Sequence, residues 1–206
     1  MKKKNIVFFG GSFDPIHNGH IYMIDQLNKH FDVDEIILIP TYWNYMKEKP
    51  IFSSEDRFKC LQNIITKLPK AKINQKITLS DYEIKQKRQS YTVETLKYYE
   101  NIYKNERFIL LIGSDNFFEF HKWKNYELLL QSITLCVIRR DDCKLSQYND
   151  YIFDKLHQKS FSSIMLIGNQ EKKISSTEIR QKILNGEDVS GMVSPEVLTI
   201  LAKKNK

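Results

Sequence analysis

The chain has 206 residues and carries 32 lysines and arginines against 25 aspartates and glutamates, so its formal net charge is +7. This length suits one folding unit, and we expect residues 1–206 to form a single domain with a sizeable core. No apolar run approaches membrane-spanning length, and the sequence holds only three cysteines, without a Cys-x-x-Cys pair. These features argue against a membrane protein and a disulfide scaffold, and they predict a protein of the reducing cytoplasm.

The basic charge has two interpretations. It could serve a nucleic-acid partner, or it could form a solvated surface around an anion-binding cleft. The lysines are scattered along the chain, with short groups at residues 2–4 and 203–206, and no single basic helix stands out. We therefore favour the second interpretation and expect neither a nucleic-acid nor a membrane partner.

The beginning of the chain is its most informative part. A buried strand is predicted over residues 5–9, and an apolar-periodic segment predicts a helix over 21–29. Gly10 and Gly11 end the strand, and the segment has neither the Gly-Lys-Ser/Thr of a Walker loop nor the spacing Gly-x-Gly-x-x-Gly. A strand, a glycine turn and a helix start in this order are typical of phosphate binding, because backbone N–H groups and the helix N-terminus attract an anion.

Two histidines, His17 and His20, stand three positions apart at the start of this helix and so share a face. They could be metal ligands, satisfied core residues or donors to a phosphate. A metal site needs about three or four protein ligands, and no carboxylate or cysteine pair stands nearby at that spacing, so we expect no bound metal. Core histidines would not explain the surrounding glycines. The remaining interpretation is two imidazole N–H donors aimed at a phosphate, with Gly19 leaving room for a nucleotide.

The rest of the chain alternates predicted strands with predicted helices. The further strands are predicted over residues 34–40, 76–84, 107–112, 132–138 and 163–167. The further helices are predicted from 53–56 onward, from 90 through 102, within 143–160, after 175, and over 189–201 with Ser194-Pro195 marking the start. Such alternation is typical of a parallel α/β sheet, here of about five or six strands. Residues 41–50 lack apolar periodicity and are predicted to be a loop over the site.

Several polar residues have a structural explanation beside a functional one. Ser90 with Glu94, and Ser175 with Glu178, have the pattern of a helix cap. A helix N-terminus can also hold a carboxylate, so the two explanations are compatible. Asp115 follows a central strand and either caps the next helix or contacts a ribose.

A tryptophan and a histidine follow Asp115. Trp123 is of a type that is usually core or half-core. His121 is expected at the surface.

Two segments resemble the signatures of the His-x-Gly-His nucleotidyltransferases: Gly-Gly-Ser-Phe-Asp-Pro-Ile-His-Asn-Gly-His at 10–20 and Ile-Ser-Ser-Thr-Glu-Ile-Arg at 174–180. Ser-Tyr-Thr-Val-Glu-Thr-Leu at 90–96 is similar to a segment of the bacterial nicotinate-nucleotide adenylyltransferases. The resemblance covers nearly the whole chain and implies a Rossmann-like, doubly wound α/β fold of the nucleotidyltransferase type. It also implies adenylyl transfer from ATP to nicotinate mononucleotide, giving deamido-NAD and pyrophosphate in NAD biosynthesis, with Mg²⁺ arriving on ATP.

The same resemblance implies roles for individual residues. The catalytic roles fall to His17, His20, Lys47 and Arg180. The residues implied for ATP binding are Gly10, Gly11, Ser12, Phe13, His17, Gly19, His20, Gly113, Asp115, Ile174, Ser175, Ser176, Thr177 and Arg180. The residues implied for nicotinate mononucleotide binding are Ser12, Lys47, Tyr91, Thr92, Trp123 and Arg140, with Trp123 stacked on the pyridine ring.

The chain departs from the family pattern in two places. Tyr45-Met46-Lys47 stands where the family has Pro-His-Lys, so Lys49 is the alternative to Lys47. Asp141-Asp142 stands where the family has Pro-Gly, so Arg139 is the alternative to Arg140. Arg57 matches a family arginine whose role we expect to be structural.

Other functions remain open on the sequence alone. Pantetheine-phosphate adenylyltransferase has a similar first motif, although it is shorter and lacks the Ser-Tyr-Thr segment. A cytidylyltransferase would share the histidines, and a nucleotide-binding regulator or an RNA-binding protein on the same scaffold would fit the charge. The sequence also leaves open the kinetic order, the strictness of acid over amide preference and whether the chain forms a homodimer.

Overall fold

The computed structural model describes residues 2–42, 50–67, 76–140, 143–157, 163–170 and 174–204. Within these residues six strands form one sheet: β1 (Asn5–Gly11), β2 (Glu35–Pro40), β3 (Lys76–Leu79), β4 (Arg107–Gly113), β5 (Thr134–Arg140) and β6 (Ile164–Gln170). Neighbouring strands are parallel in every pair, in the order β3-β2-β1-β4-β5-β6. This is the doubly wound Rossmann-like order, so the predicted fold class is confirmed.

Helices connect these strands and cover the sheet. The described helices are α1 (Asn18–His30), α2 (Ser54–Lys67), α3 (Tyr82–Gln86), α4 (Thr92–Glu100), α5 (Ser114–Phe117), α6 (Tyr126–Ser132), α7 (Leu145–Asp154), α8 (Ser176–Leu184) and α9 (Pro195–Lys204). A 3₁₀ turn follows α5 at Phe120–Lys122.

The core lies on both faces of the sheet. Along β1, Ile6 and Phe8 belong to one buried cluster, and Val7 and Phe9 belong to the other. Successive strand residues point to opposite faces, so each face has its own apolar layer. A sheet buried on both sides explains why its strands read as continuous apolar runs rather than as alternating patterns.

The ends of the first two elements differ from the prediction. The strand predicted over 5–9 extends to Gly11, so Gly10 and Gly11 are its last two residues and pair with Ile39 and Pro40 of β2. Helix α1 begins at Asn18 rather than Ile21, because His17 caps it.

Two later boundaries also differ. The predicted strand over 76–84 ends at Leu79, and α3 follows at Tyr82. The Ser80 hydroxyl accepts a hydrogen bond from the N–H of Tyr82 at 3.2 Å, which turns the chain away from the sheet edge. The last helix begins at Pro195, as the Ser-Pro pair predicted, so residues 189–194 precede it rather than form part of it.

Candidate active site

A crevice opens at the carboxyl ends of β1 and β4. These two strands are neighbours in the sheet, and the direction of winding reverses between them. Ligands of doubly wound folds bind at this point, outside the strand ends. A cavity of about 230 Å³ lies here, and its lining includes Gly10, Gly11, Ser12, Tyr91, Thr92 and Trp123.

The glycine at position 10 is not required by the surrounding protein. A Cβ added there would meet only the carbonyl oxygen of Ile39, at an ordinary 3.9 Å. The residue lines the cavity, so the missing side chain leaves space for a ligand. Phe13, three residues on, has a φ of 47°, which is rare for a bulky residue. Strained backbone of this kind is concentrated at functional sites.

The two histidines are held side by side by the start of α1. His17 is the N-cap residue, and its Nδ1 accepts a hydrogen bond from the N–H of Gly19 at 3.1 Å. Nδ1 of His20 accepts one from the N–H of His17 at 3.2 Å. The ring centroids lie 3.8 Å apart. Because Nδ1 is an acceptor in both rings, each neutral imidazole carries its proton on Nε2.

This reciprocal arrangement is a capping box built from two histidines instead of serine and glutamate. The sequence analysis found the shared face but missed the cap. The spacing of three residues at a helix start was the signal that could have revealed it.

The second signature lies directly against the first. Ser175 caps α8 as predicted, since its Oγ accepts a hydrogen bond from the N–H of Glu178 at 3.1 Å. The Ser176 hydroxyl donates to the carbonyl oxygen of Pro15 at 3.2 Å. The Arg180 guanidinium donates to the carbonyl oxygen of Asp14 at 3.1 Å. Motifs that are far apart in sequence therefore form one continuous surface.

Buried charges fix the loop that joins β1 to α1. The Asp14 carboxylate accepts hydrogen bonds from the N–H groups of Ile51 and Phe52, at 3.0 and 2.8 Å. Arg57, only 1% exposed, donates to the carbonyl oxygens of Ser12 and Tyr42 at 2.6 and 2.8 Å. Both ends of the segment that follows β2 are thus tied to the first signature, which gives Arg57 the structural role that the sequence analysis expected.

Some predicted site residues cannot be placed. Lys47 and its alternative Lys49 lie outside the described residues. The backbone of Arg140 is part of β5 and pairs with Gln170, but its side chain lies outside the described part. Arg139 lies in the same strand, and its Nε is buried with no hydrogen-bond partner.

The predicted cap at Ser90 is wrong. Tyr91 is the N-cap residue of α4, and no side chain caps this helix. Ser90 therefore stands one residue too early, and its buried hydroxyl has no hydrogen-bond partner among the described residues. Glu94 is paired instead with Arg88 at 3.1 Å and Lys124 at 2.9 Å. The start of α4 keeps its backbone N–H groups uncapped by a side chain, at the wall of the cavity.

Trp123 lines the cavity and is half-buried against Phe120, with the ring centroids 5.0 Å apart. Lys124 lies over the ring of Tyr91, with Nζ 4.2 Å from its centroid. His121, expected at the surface, is partly buried, and its Nδ1 lies 2.9 Å from the hydroxyl of Tyr151. Phe120, Trp123 and Tyr151 belong to or pack against the buried cluster that contains Ile6 and Phe8, so this cluster supports the apolar wall of the cavity.

Asp115 is exposed in the first turn of α5. The N-cap residue of that helix is Gly113, with no side-chain cap, so the capping alternative for Asp115 is wrong. Its ribose contact stays a prediction.

Glu83 is a cavity residue that the sequence analysis missed. It lines the cavity, is 7% exposed, and accepts a hydrogen bond from the Thr95 hydroxyl at 2.7 Å. Burial raises the pKa of this carboxyl from its ordinary 4.5 to about 7. The strand predicted over 76–84 included this residue. The helix-favouring Glu-Ile-Lys-Gln run at 83–86 could have indicated a helix here instead.

The comparisons with known proteins agree with this geometry. Residues 8–182 match the sequence model of the family described as cytidylyltransferase-like. The "Probable nicotinate-nucleotide adenylyltransferase" of Aquifex aeolicus is 38% identical, over 84% of this chain and 99% of that protein. Its counterpart in Fusobacterium nucleatum is 36% identical, over 97% of both chains. The chain belongs to the nicotinate-nucleotide adenylyltransferase family.

The fold of this family member is also that of a solved structure. The nicotinic acid mononucleotide adenylyltransferase of Plasmodium falciparum, complexed with NaAD, is 24% identical and superposes with a TM-score of 0.79. The alignment covers 98% of this chain and 96% of that one. At this level of identity the likeness establishes the shared fold.

Two further observations concern the described residues of this adenylyltransferase family member. They contain no group of three or more histidines, cysteines, aspartates or glutamates that could hold a metal ion. None of the helices formed by these residues combines the length and the apolar character needed to cross a membrane.

Proposed function

We propose that this chain transfers the adenylyl group of ATP to nicotinate mononucleotide, giving deamido-NAD and pyrophosphate as a step of NAD biosynthesis. The observation that carries the proposal is the meeting of both signatures beside a cavity lined by Trp123 and the uncapped start of α4. The names of the relatives support the same acceptor.

The reaction is a displacement at the α-phosphorus of ATP. A phosphate oxygen of nicotinate mononucleotide forms the new bond, and the bond to the pyrophosphate oxygen breaks as pyrophosphate leaves with its electron pair. The nucleophile is already anionic near neutral pH, so no strong general base is required. Catalysis then consists of positioning the two nucleotides and stabilising the charge that develops on the transferring group.

The first signature supplies the donors for that charge. His17 and His20 present Nε2–H groups, whose tautomer is set by the backbone N–H groups at Nδ1. In the second signature Ser176, Thr177 and Arg180 hold the β- and γ-phosphates of ATP, and a guanidinium suits them because of its planar fork of donors. Lys47 would add a further positive charge from the 41–50 segment.

The remaining predicted ATP contacts bind the nucleoside end and the phosphate chain. They are Gly10, Gly11, Ser12, Phe13, Gly19, Gly113, Asp115, Ile174 and Ser175.

Magnesium enters this proposal as part of the substrate. Mg²⁺ is usually held by one or two carboxylates, substrate phosphates and water. The described residues offer no carboxylate cage, so we expect the ion to arrive bound to ATP and to reduce the charge of its phosphates.

The cavity holds the pyridine nucleotide. Trp123 stacks on the ring, Ser12 and Arg140 are the expected contacts of the phosphate, and the N–H groups at Tyr91 and Thr92 meet the ring carboxylate. These backbone N–H groups can only donate, so they disfavour the amide, whose N–H₂ group would oppose another donor. Unpaired polar groups cost about 1–3 kcal/mol, and the favourable helix end adds to this, so the acid gains on the order of 10- to 10³-fold.

Pyrophosphate release tests the proposal. We expect turnover with ATP and nicotinate mononucleotide, and a much lower kcat/KM with nicotinamide mononucleotide. Trp123→Ala should lower kcat/KM for both acceptors by a similar factor, because stacking does not distinguish acid from amide. Turnover with CTP or with phosphopantetheine instead would assign the chain to a different branch of the superfamily. Equal efficiency with the two pyridine nucleotides would refute the role of the α4 terminus.

A further inference from the structure

Glu83 is an unexpected residue in the wall of a cavity that takes an anionic substrate. Its carboxyl is buried and accepts a hydrogen bond from Thr95. Thr95 stands three residues after Thr92, one turn further along α4, and both line the cavity with Glu83. Residues three apart on a helix share a face. The carboxyl therefore lies beside the helix start that we assign to the ring carboxylate of the substrate.

The charges around Glu83 oppose its ionisation. On α4, Glu94 is a like charge that raises the pKa of Glu83, whereas the Thr95 hydroxyl favours the ionised form. On the same helix, burial chiefly, and the charges of Asp81 and Glu83 in addition, raise the pKa of the Tyr99 phenol. The cations that line the cavity are paired with other carboxylates, Lys124 with Glu94 and Lys122 with Glu119. Arg88 is also paired with Glu94.

We infer that Glu83 is a specificity-determining residue of the pyridine subsite, which admits the acid substrate only while this carboxyl is neutral. The inference rests on the proposed function. An ionised Glu83 would face the ring carboxylate as a like charge, but it could accept a hydrogen bond from a ring carboxamide. A neutral Glu83 can donate to the carboxylate instead. Binding of nicotinate mononucleotide is then coupled to the uptake of a proton, and this uptake approaches one proton at alkaline pH.

The decisive measurement is the ratio of kcat/KM for nicotinate mononucleotide to that for nicotinamide mononucleotide, between pH 6 and 9. Both acceptors carry the same phosphate, so its titration cancels in the ratio. Above the midpoint of Glu83 the neutral fraction falls about tenfold per pH unit, and we expect the ratio to fall toward that slope. In Glu83→Gln the side chain is neutral at every pH, so the ratio should stay flat.

Variants of two residues near Glu83 should move the pH at which the kcat/KM ratio begins to fall, in opposite directions. Thr95→Val removes the hydrogen bond that favours the ionised carboxylate, so the fall should begin at higher pH. Glu94→Gln removes the like charge and releases Lys124 and Arg88, so the fall of the ratio should begin at lower pH. Glu100→Gln, at the exposed far end of the same helix, is the matched control and should keep the wild-type midpoint.

Calorimetry gives an independent measure. Nicotinate mononucleotide is titrated into the wild type and Glu83→Gln at pH 8, in two buffers of different ionisation heat. We expect the wild type to take up nearly one more proton than the variant.

A ratio that is flat in the wild type, or that falls equally in Glu83→Gln, overturns the inference. If Glu83→Gln fails to fold, the opposite shifts of the other two variants decide. Absence of turnover with either acceptor would instead refute the proposed function.

Discussion

His17 and His20 each perform two tasks with one imidazole. One nitrogen accepts a backbone N–H group and shapes the start of α1, and the other is left as the donor. A serine or aspartate would cap the helix equally well, but it would not supply the ring N–H that the proposed function requires. The local structural role and the proposed catalytic role therefore explain the same residue type.

Replacing His20 by Ala should lower kcat by roughly 10²–10³, the range for losing one preorganised donor. The fold should persist, because His20 is half-buried and the cap made by His17 at Gly19 is kept. Steady-state kinetics and circular dichroism check both points. His30→Ala, in the last turn of the same helix, is the control and should keep wild-type turnover. Near-normal turnover of His20→Ala would remove the proposed role.

Arg180 offers a similar test in the second signature. Arg180→Lys keeps the charge but loses the planar fork that reaches both the Asp14 carbonyl and Thr177. We expect a higher KM for ATP and unchanged binding of nicotinate mononucleotide in calorimetry. Lys182→Arg, on the same helix and paired with Glu187 at the surface, should leave both unchanged. An unchanged KM for ATP with weaker binding of nicotinate mononucleotide would mean that Arg180 belongs to the nicotinate mononucleotide subsite instead.

At the scale of the helices, equal sequence patterns produced unequal structures. Ser175 caps α8, whereas Ser90 caps nothing. We therefore expect Ser175→Ala to lower the free energy of unfolding by about 1 kcal/mol and Ser90→Ala to change it much less. Urea titration of both variants measures this difference. A larger loss for Ser90→Ala would mean that its hydroxyl is bonded in solution.

Tertiary contacts explain why one serine pattern failed. Glu94 could not serve as the reciprocal partner of a cap because Lys124, thirty positions away, holds its carboxylate. A contact between residues so far apart in sequence cannot be recognised from a local sequence pattern. The strand predicted over 76–84 was correct up to Leu79 and wrong beyond it. There too a distant contact matters, since Glu83 bonds to Thr95 of α4.

At the scale of the whole molecule, Glu83 should make stability depend on pH. Its pKa is about 7 in the folded chain and about 4.5 when unfolded, so the folded state binds more protons between these values. The free energy of unfolding therefore falls as pH rises from about 4.5 to 7 and then levels off. This contribution amounts to at most about 3 kcal/mol, at 1.36 kcal/mol per pKa unit.

Urea unfolding at pH 5 and pH 8 measures the effect. Glu83→Gln should be less sensitive to pH than the wild type by that amount, since the other titrating groups are common to both. An equal pH dependence in the two proteins would show that folding does not raise the pKa of Glu83.

The sequence predicted the sheet well because a doubly wound sheet is buried on both faces, which leaves apolar runs that need no partner to be recognised. It also predicted the residues of both signatures, because each is continuous in the chain. The positioning network of Asp14 and Arg57 and the charge environment of Glu83 could not be predicted in detail. They arise only when separate segments pack together.

The contact between the two signatures determines when, during its synthesis, the chain can become active. Ser176 and Arg180 bond to Pro15 and Asp14 across 161 and 166 positions of sequence. A nascent chain on the ribosome can fold its first strands and form the histidine pair long before α8 emerges. The second signature, which we propose holds the β- and γ-phosphates of ATP, would still be missing, so we expect such an unfinished chain not to consume ATP. Catalytic competence would arrive only when synthesis is nearly complete.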